Sequence, residues 1–252
     1  MQIAAANASW KTVLASPPRG SHILQIYDSD AFLSAAVAHF AAEGIKQGEA
    51  VFLTGTREHI CAIDVRLHAL GANPAEGQLL CTDLEAALAA VPQTKLEAAV
   101  ADARFTGVRW WGEITSTLYQ RGEREAGLAA EKDADEIARK HGVKILCPYL
   151  GDKYDPRAYG DALMRLCCLH SHVIPAEDYA RHRQAVNRAI AEVVGDIRGT
   201  LLQSLNSWRG LACDLPSSQA VLFWLRETLP EKFDAVLAKA RAYGAENAEA
   251  SA

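Results

Sequence analysis

From His22 to Pro175 short apolar runs alternate with longer stretches in which apolar residues recur every three or four positions. That alternation predicts βαβ units building a mostly parallel sheet covered by helices. The runs ILQIY, AVFLT, QLLCT, FTGVRW, KILCPYL and LHSHVI are the predicted strands. Between them, helices are predicted at roughly 30–44, 57–70, 83–91, 112–121, 125–141 and 157–168. Asp30 is placed to cap the first of these, and Gly44 and Gly71 to stop the first two. The stretch 166–175, LCCLHSHVIP, reads as one buried strand carrying two thiols and two imidazoles.

After Pro175 the strand-like runs cease. Val186, Ile190, Val193, Ile197, Leu201, Leu205 and Trp208 follow one another at spacings of three and four, one face of a long helix over 180–211. Such a stripe is either internal packing or a homodimer seam, and the seam is favoured because little else is left to cover it. The end, AENAEASA, is expected to fray.

Composition narrows the class. Half of the 252 residues are hydrophobic, ample for a core. With 26 Lys+Arg against 31 Asp+Glu, no overall field favours nucleic acid or anionic membrane. The absence of a long apolar run or leader-like start argues for a cytoplasmic chain with no membrane partner. Six cysteines without a paired framework fit reduced thiols.

In an open parallel sheet, ligands usually sit beyond the carboxyl ends of the strands. The residues expected there are Tyr27, Asp28, Thr54, Asp83, Trp111, Glu113, Cys147 and Tyr149, an aromatic-walled site with a few polar groups suited to a small organic ligand. Ordinary caps and loop residues would give the same pattern. Soft and borderline donors also cluster in the sequence, and a zinc-type ion held by His22, Cys167 and His170 is one reading. Strand alternation would set His170 and His172 on one face, whereas His22 and Cys147, at opposite ends of their strands, would lie apart. Buried thiols acting as small hydrophobes and histidines bonded to backbone are the simpler alternative.

Several segments in order carry a family resemblance: HILQIYDSD from His22, GIKQGEAVFLT at 44–54, VRWWGEI at 108–114, VKILCPYL at 143–150 and the His-Cys segment at 166–175. Together, over about residues 20–175, they resemble the methanogen/methylotroph DcmR sensory domain, MEDS. The resemblance implies an α/β fold like the RecA and KaiC ATPases, followed here by an all-helical extension at 176–245, and a ligand of the hydrocarbon-derivative class. YDSDAF stands where a phosphate loop would require G-x-x-x-x-G-K-[ST], so no ATP cofactor is expected.

Residues 211–244 resemble the helix-turn-helix of phage terminase small subunits, through Pro216, Ser217, Trp224, Leu225, Pro230, Phe233, Ala240 and Arg241. That likeness implies a recognition helix presenting Ser218, Gln219, Leu222 and Arg226 to DNA. Residues 176–252 hold nine Lys+Arg and ten Asp+Glu, a net of minus one, which is no phosphate-binding field. The sequence thus reads as a one-component regulator that couples ligand binding to a helical output. A signalling adaptor docking on another protein is the alternative, and a small-molecule enzyme using Glu113 as acid or base comes third. No nucleophile, zinc-protease or dinucleotide motif is present, so no enzymatic activity is expected.

Overall fold

The computed structural model describes residues 10–89, 93–152, 162–174, 179–195 and 217–249. Their contacts divide the chain into two compact units. One comprises residues 8–150 and 169–174, and the other residues 151–168 and 175–252 with 1–7.

The first unit is a six-stranded sheet in which every pairing is parallel. Its strands are β1 (His22–Tyr27), β2 (Ala50–Gly55), β3 (Leu79–Asp83), β4 (Val108–Gly112), β5 (Lys144–Leu150) and β6 (His172–Ile174), in the order β3-β2-β4-β5-β1-β6. Parallel strands covered on both faces are apolar throughout rather than alternating. All of β1 and β2 is accordingly buried.

One face carries α1 (Trp10–Ala15), α2 (Asp30–Lys46) and α3 (Arg57–Ala69). Ile23, Val51, Leu53, Trp111 and Leu146 of the sheet pack there against Phe32, Val37, Phe40 and Ile63 of the helices. Ser29, rather than Asp30, caps α2, its Oγ accepting from the Phe32 amide at 3.2 Å. Thr56 caps α3 in the same way from the His59 amide. The other side of the sheet receives α6 (Ile114–Gln120) and α7 (Arg124–His141), preceded along the chain by α4 (Leu84–Ala89) and α5 (Gln93–Ala101). Helix α7 buries Gly127, Glu131, Ala134 and Ala138, one stripe of a 3.6-residue period, and stops at Gly142 with φ +69°.

The sequence reading misses α1 and α5 and starts the fourth strand three residues early. Its single strand over 166–175 is also corrected. Residues 162–169 form a helix, α8 (Ala162–Leu169), and after His170 and Ser171 only His172–Ile174 pair with β1. His170 precedes β6, so strand alternation does not relate it to His172.

In the second unit α9 (Tyr179–Val193), α10 (Ser217–Thr228) and α11 (Pro230–Glu249) share a core of Val186, Ile190, Leu222, Leu225, Val236 and Leu237. The predicted stripe is therefore covered, at Val186 and Ile190, by the chain's own helices. It is also interrupted, because α9 ends at Val193 and Gly195 takes φ +87°. Ile197, Leu201, Leu205 and Trp208 lie outside the described residues. Helix α11 runs into the segment expected to fray. No helix among the described residues is long and apolar enough to cross a membrane.

Candidate functional site

Helix α7 lies across the sheet so that Glu131, on its buried stripe, meets the start of β1 and the middle of β5. His22 pairs with Ile145, and Leu24 with Cys147. Paired residues of parallel strands share a face, so the His22 and Cys147 side chains point the same way, two residues apart along the strand direction. His22 Nε2 is 3.3 Å from Cys147 Sγ. The expectation that these two lie apart is thus corrected: β5 extends from Lys144 to Leu150, and Cys147 is at its centre.

His170 joins them through the link between α8 and β6. The Ser171 amide and hydroxyl both donate to the His22 carbonyl, at 2.7 and 2.9 Å, and the His22 amide donates back to Ser171 Oγ at 3.1 Å. This clamp sets the preceding residue beside the His22 ring. The two imidazoles stack with centroids 3.9 Å apart. Glu131 Oε2 lies 3.1 Å from His22 Nε2 and 3.3 Å from His170 Nε2. Its Oε1 accepts a short hydrogen bond from the Tyr149 hydroxyl. On the far side of the His22 ring, Nδ1 is 3.2 Å from the Leu169 carbonyl, which can only accept, so Nδ1 donates there.

All four groups are buried, and their electrostatics follow from that. Burial pushes His22 below the ordinary imidazole range, and His170 adds to the shift. Burial pushes Glu131 up, but the imidazoles outweigh it, His170 ahead of His22, and hold the carboxyl well below its usual range. The Cys147 thiol is driven well up by burial and then by the Glu131 charge, and the Tyr149 hydroxyl rises for the same reasons.

Against this cluster opens a cavity of about 400 Å³ between the sheet and helices α6 and α7. Trp110, Ile145, Ala134 and Ile137 supply apolar wall, and Cys147 and Thr115 are the buried residues there that carry a thiol and a hydroxyl. The Thr115 hydroxyl lies near Cys147 and Tyr149 and is buried without a well-formed hydrogen bond. Exposed Asp133, Glu136 and Lys140 ring the mouth.

Of the residues predicted to bind ligand, Cys147 alone lines this cavity, and Tyr149 stands behind it. The crevice beyond β2 and β4 is filled by the protein itself. Glu113 accepts from the Thr56 amide at 2.8 Å and pairs with His59 Nδ1 at 2.6 Å, and a Cβ on Gly55 would come within 2.5 Å of its Oε2. Trp111 is fully buried against α2 and α3, so the cavity wall is its neighbour Trp110. Thr54 accepts from Trp110 Nε1 at 3.0 Å. Tyr27 is in the core, Asp83 caps α4 through the Glu85 amide, and Asp28 is exposed.

Of the donors expected to hold a metal, the structure brings His22 and His170 together. Cys167 is buried on α8 and is not among the converging donors. Cys147 and Glu131 are the donors that converge with the two histidines. A carboxylate on the small-residue stripe Gly127, Ala134, Ala138 is the sequence signal for Glu131.

In the helical unit Leu222 is fully buried, not turned outward to read bases. Arg226 lies 5.1 Å over the Phe223 ring and is partly exposed. The side chains of Ser218 and Gln219 lie outside the described residues.

No curated protein matches the chain. The family described as MEthanogen/methylotroph, DcmR Sensory domain matches residues 21–171, a span that holds β1 to β5, ends just before β6 and includes all four members of the buried cluster. By that match, over more than half of its length, the chain belongs to the MEDS family of sensory domains.

Proposed function

We propose that the sheet unit is the sensor for a small organic molecule of largely apolar character bearing one polar or soft atom, and that the helical unit carries the output. The observation that supports this is the cavity itself, with apolar walls, Cys147 and Thr115 among its buried lining and charged residues at its mouth. A hydroxyl and a thiol set side by side in an otherwise apolar wall suit a ligand that presents a single heteroatom to them. The family's sensory description fits the same role. Binding signals only if the ligand prefers one of two states of the chain.

For the output, burial of Leu222 and Leu225 in the helical core favours docking on a partner protein over reading of base edges. A salt-dependent DNA shift assay separates the two, since phosphate contacts must weaken steeply with salt.

The ligand hypothesis is tested by thermal shift against short-chain alcohols, halogenated hydrocarbons and carboxylates. A true ligand at a hundred times its Kd adds about 2.7 kcal/mol of stability. Ala130→Phe, from a half-buried position on the cavity wall, should abolish that shift in a folded protein. If ligands still bind this variant unchanged, the cavity is not the sensory site.

A further inference from the structure

We propose that His22, Glu131, Cys147 and His170 form a binding site for one divalent transition ion of the zinc class. This site does not depend on the organic-ligand reading, and metal content is measured without any organic molecule present.

The geometry carries the assignment. One donor atom from each of the four buried residues lies within 4.8 Å of all the others. Tetrahedral zinc with spokes of about 2.0–2.3 Å has ligand-to-ligand edges of roughly 3.3–3.8 Å. The separations His22 Nε2 to Glu131 Oε2, His170 Nε2 to Glu131 Oε2 and His22 Nε2 to Cys147 Sγ are 3.1, 3.3 and 3.3 Å, close to that scale.

The surroundings orient the donors as ligands. With Nδ1–H of His22 directed to the Leu169 carbonyl, the Nε2 lone pair is left facing a carboxylate oxygen. Two lone pairs at 3.1 Å repel unless a proton or a metal ion lies between them. The hydrogen bond from Tyr149 occupies Oε1 of Glu131, whereas its buried Oε2 faces only the Nε2 atoms of His22 and His170, at 3.1 and 3.3 Å. A buried carboxylate oxygen needs positive charge beside it, and a metal ion held by the two imidazoles would supply it.

Two imidazole nitrogens, a thiolate and one carboxylate oxygen are a borderline-soft set, suited to zinc and ill suited to magnesium or calcium. The Cys147 thiol must lose its proton on loading, which releases one proton per ion bound. Four protein donors close the coordination sphere, as in structural sites. The ion would fasten β1, α7, β5 and the α8–β6 link at one point, directly beneath the cavity.

The test uses the full chain, purified under reductant, with zinc measured by elemental mass spectrometry and cobalt(II) titrated into the chelator-stripped protein. One equivalent of zinc is expected. Cobalt should give the intense visible bands of a tetrahedral site and a thiolate charge-transfer band. Cys147→Ser should lose that band and weaken binding at least tenfold, whereas Cys61→Ser, an exposed thiol, should keep both. Glu131→Gln, of nearly the same size, should also weaken binding. If Cys147→Ser does not fold, a fall in the wild-type melting temperature on stripping, reversed by one equivalent of zinc with the cobalt thiolate band present, supports the site. A folded wild-type protein that takes up neither ion overturns the proposal, as does a charge-transfer band that persists in Cys147→Ser.

Discussion

Arg109 and Glu49 form an ion pair inside the sheet unit, with the guanidinium fully buried and the carboxylate nearly so. Arg109 Nε donates to Glu49, Nη1 donates to the Leu14 and Phe40 carbonyls at 2.9 and 2.8 Å, and Nη2 donates to Ala15 and Gln47. All five N–H groups are thereby used. Leu14 and Ala15 end α1, where carbonyls lack helical partners, so the cation also ties that helix to the sheet. Lys144 Nζ donates to the other Glu49 oxygen at 2.6 Å.

Arg109→Met should accordingly destabilise the protein by about 3–5 kcal/mol, the usual cost of stranding one partner of a buried pair. Arg109→Lys should recover only part of that, because an ammonium cannot reproduce the fork. Urea unfolding measures both, and a loss under about 1 kcal/mol for Arg109→Met would show that Lys144 alone suffices for Glu49.

Gly44 lies against this arginine. A Cβ there would stand 2.6 Å from Arg109 Cδ and 2.8 Å from Nε. The side chain is held by all its hydrogen bonds and cannot step aside. Gly44→Ala gains about 1 kcal/mol of helix propensity but costs about 1–3 kcal/mol in overpacking, and more where the neighbour is fixed. The expected result is a lower melting temperature; a higher one would mean that the arginine has room to move.

His59 makes stability depend on pH. Its hydrogen bond to Glu113 raises its pKa, against the opposing effect of burial, and the Glu113 and Asp30 charges add to the rise. A raised folded value means the pair stabilises fully below the unfolded pKa of about 6.5 and loses that contribution as pH climbs through the folded value. The stability difference between wild type and His59→Asn should therefore be greater near pH 6 than near pH 9, both approximate choices bracketing that window. Equal differences by denaturant titration would mean that His59 stays neutral in the fold.

Val186 tests the helical unit. It is fully buried among α9, α10 and α11, so a charge there has no water to reach. Val186→Glu should melt this unit, with loss of helical circular dichroism, rather than split a dimer into folded monomers. Light scattering that finds folded monomers from a wild-type dimer would instead restore the seam.

The apolar runs of β1, β2 and β5 and the stripe of α7 were legible in the sequence because burial on both sheet faces, or along one helix face, leaves a local periodic trace. His22, His170 and Cys147 could be singled out as chemistry-bearing by residue type. Their grouping could not. His22 and Cys147 are neighbours only because β1 pairs with β5 across 125 positions of sequence, and the register that sets His22 opposite Ile145 is fixed by long-range hydrogen bonds. The choice of Cys147 over Cys167 turns on α8 ending at Leu169, where local pattern allowed a strand. Leu222 reads as an outward residue in a helix-turn-helix and is buried once α9 and α11 cover it. Sequence determines which residues carry affinity for a ligand, an ion or a core, since that is written in each side chain. Which of them meet is decided by packing, because distance across a sheet is set by strand order and register and leaves no mark on the separation along the chain.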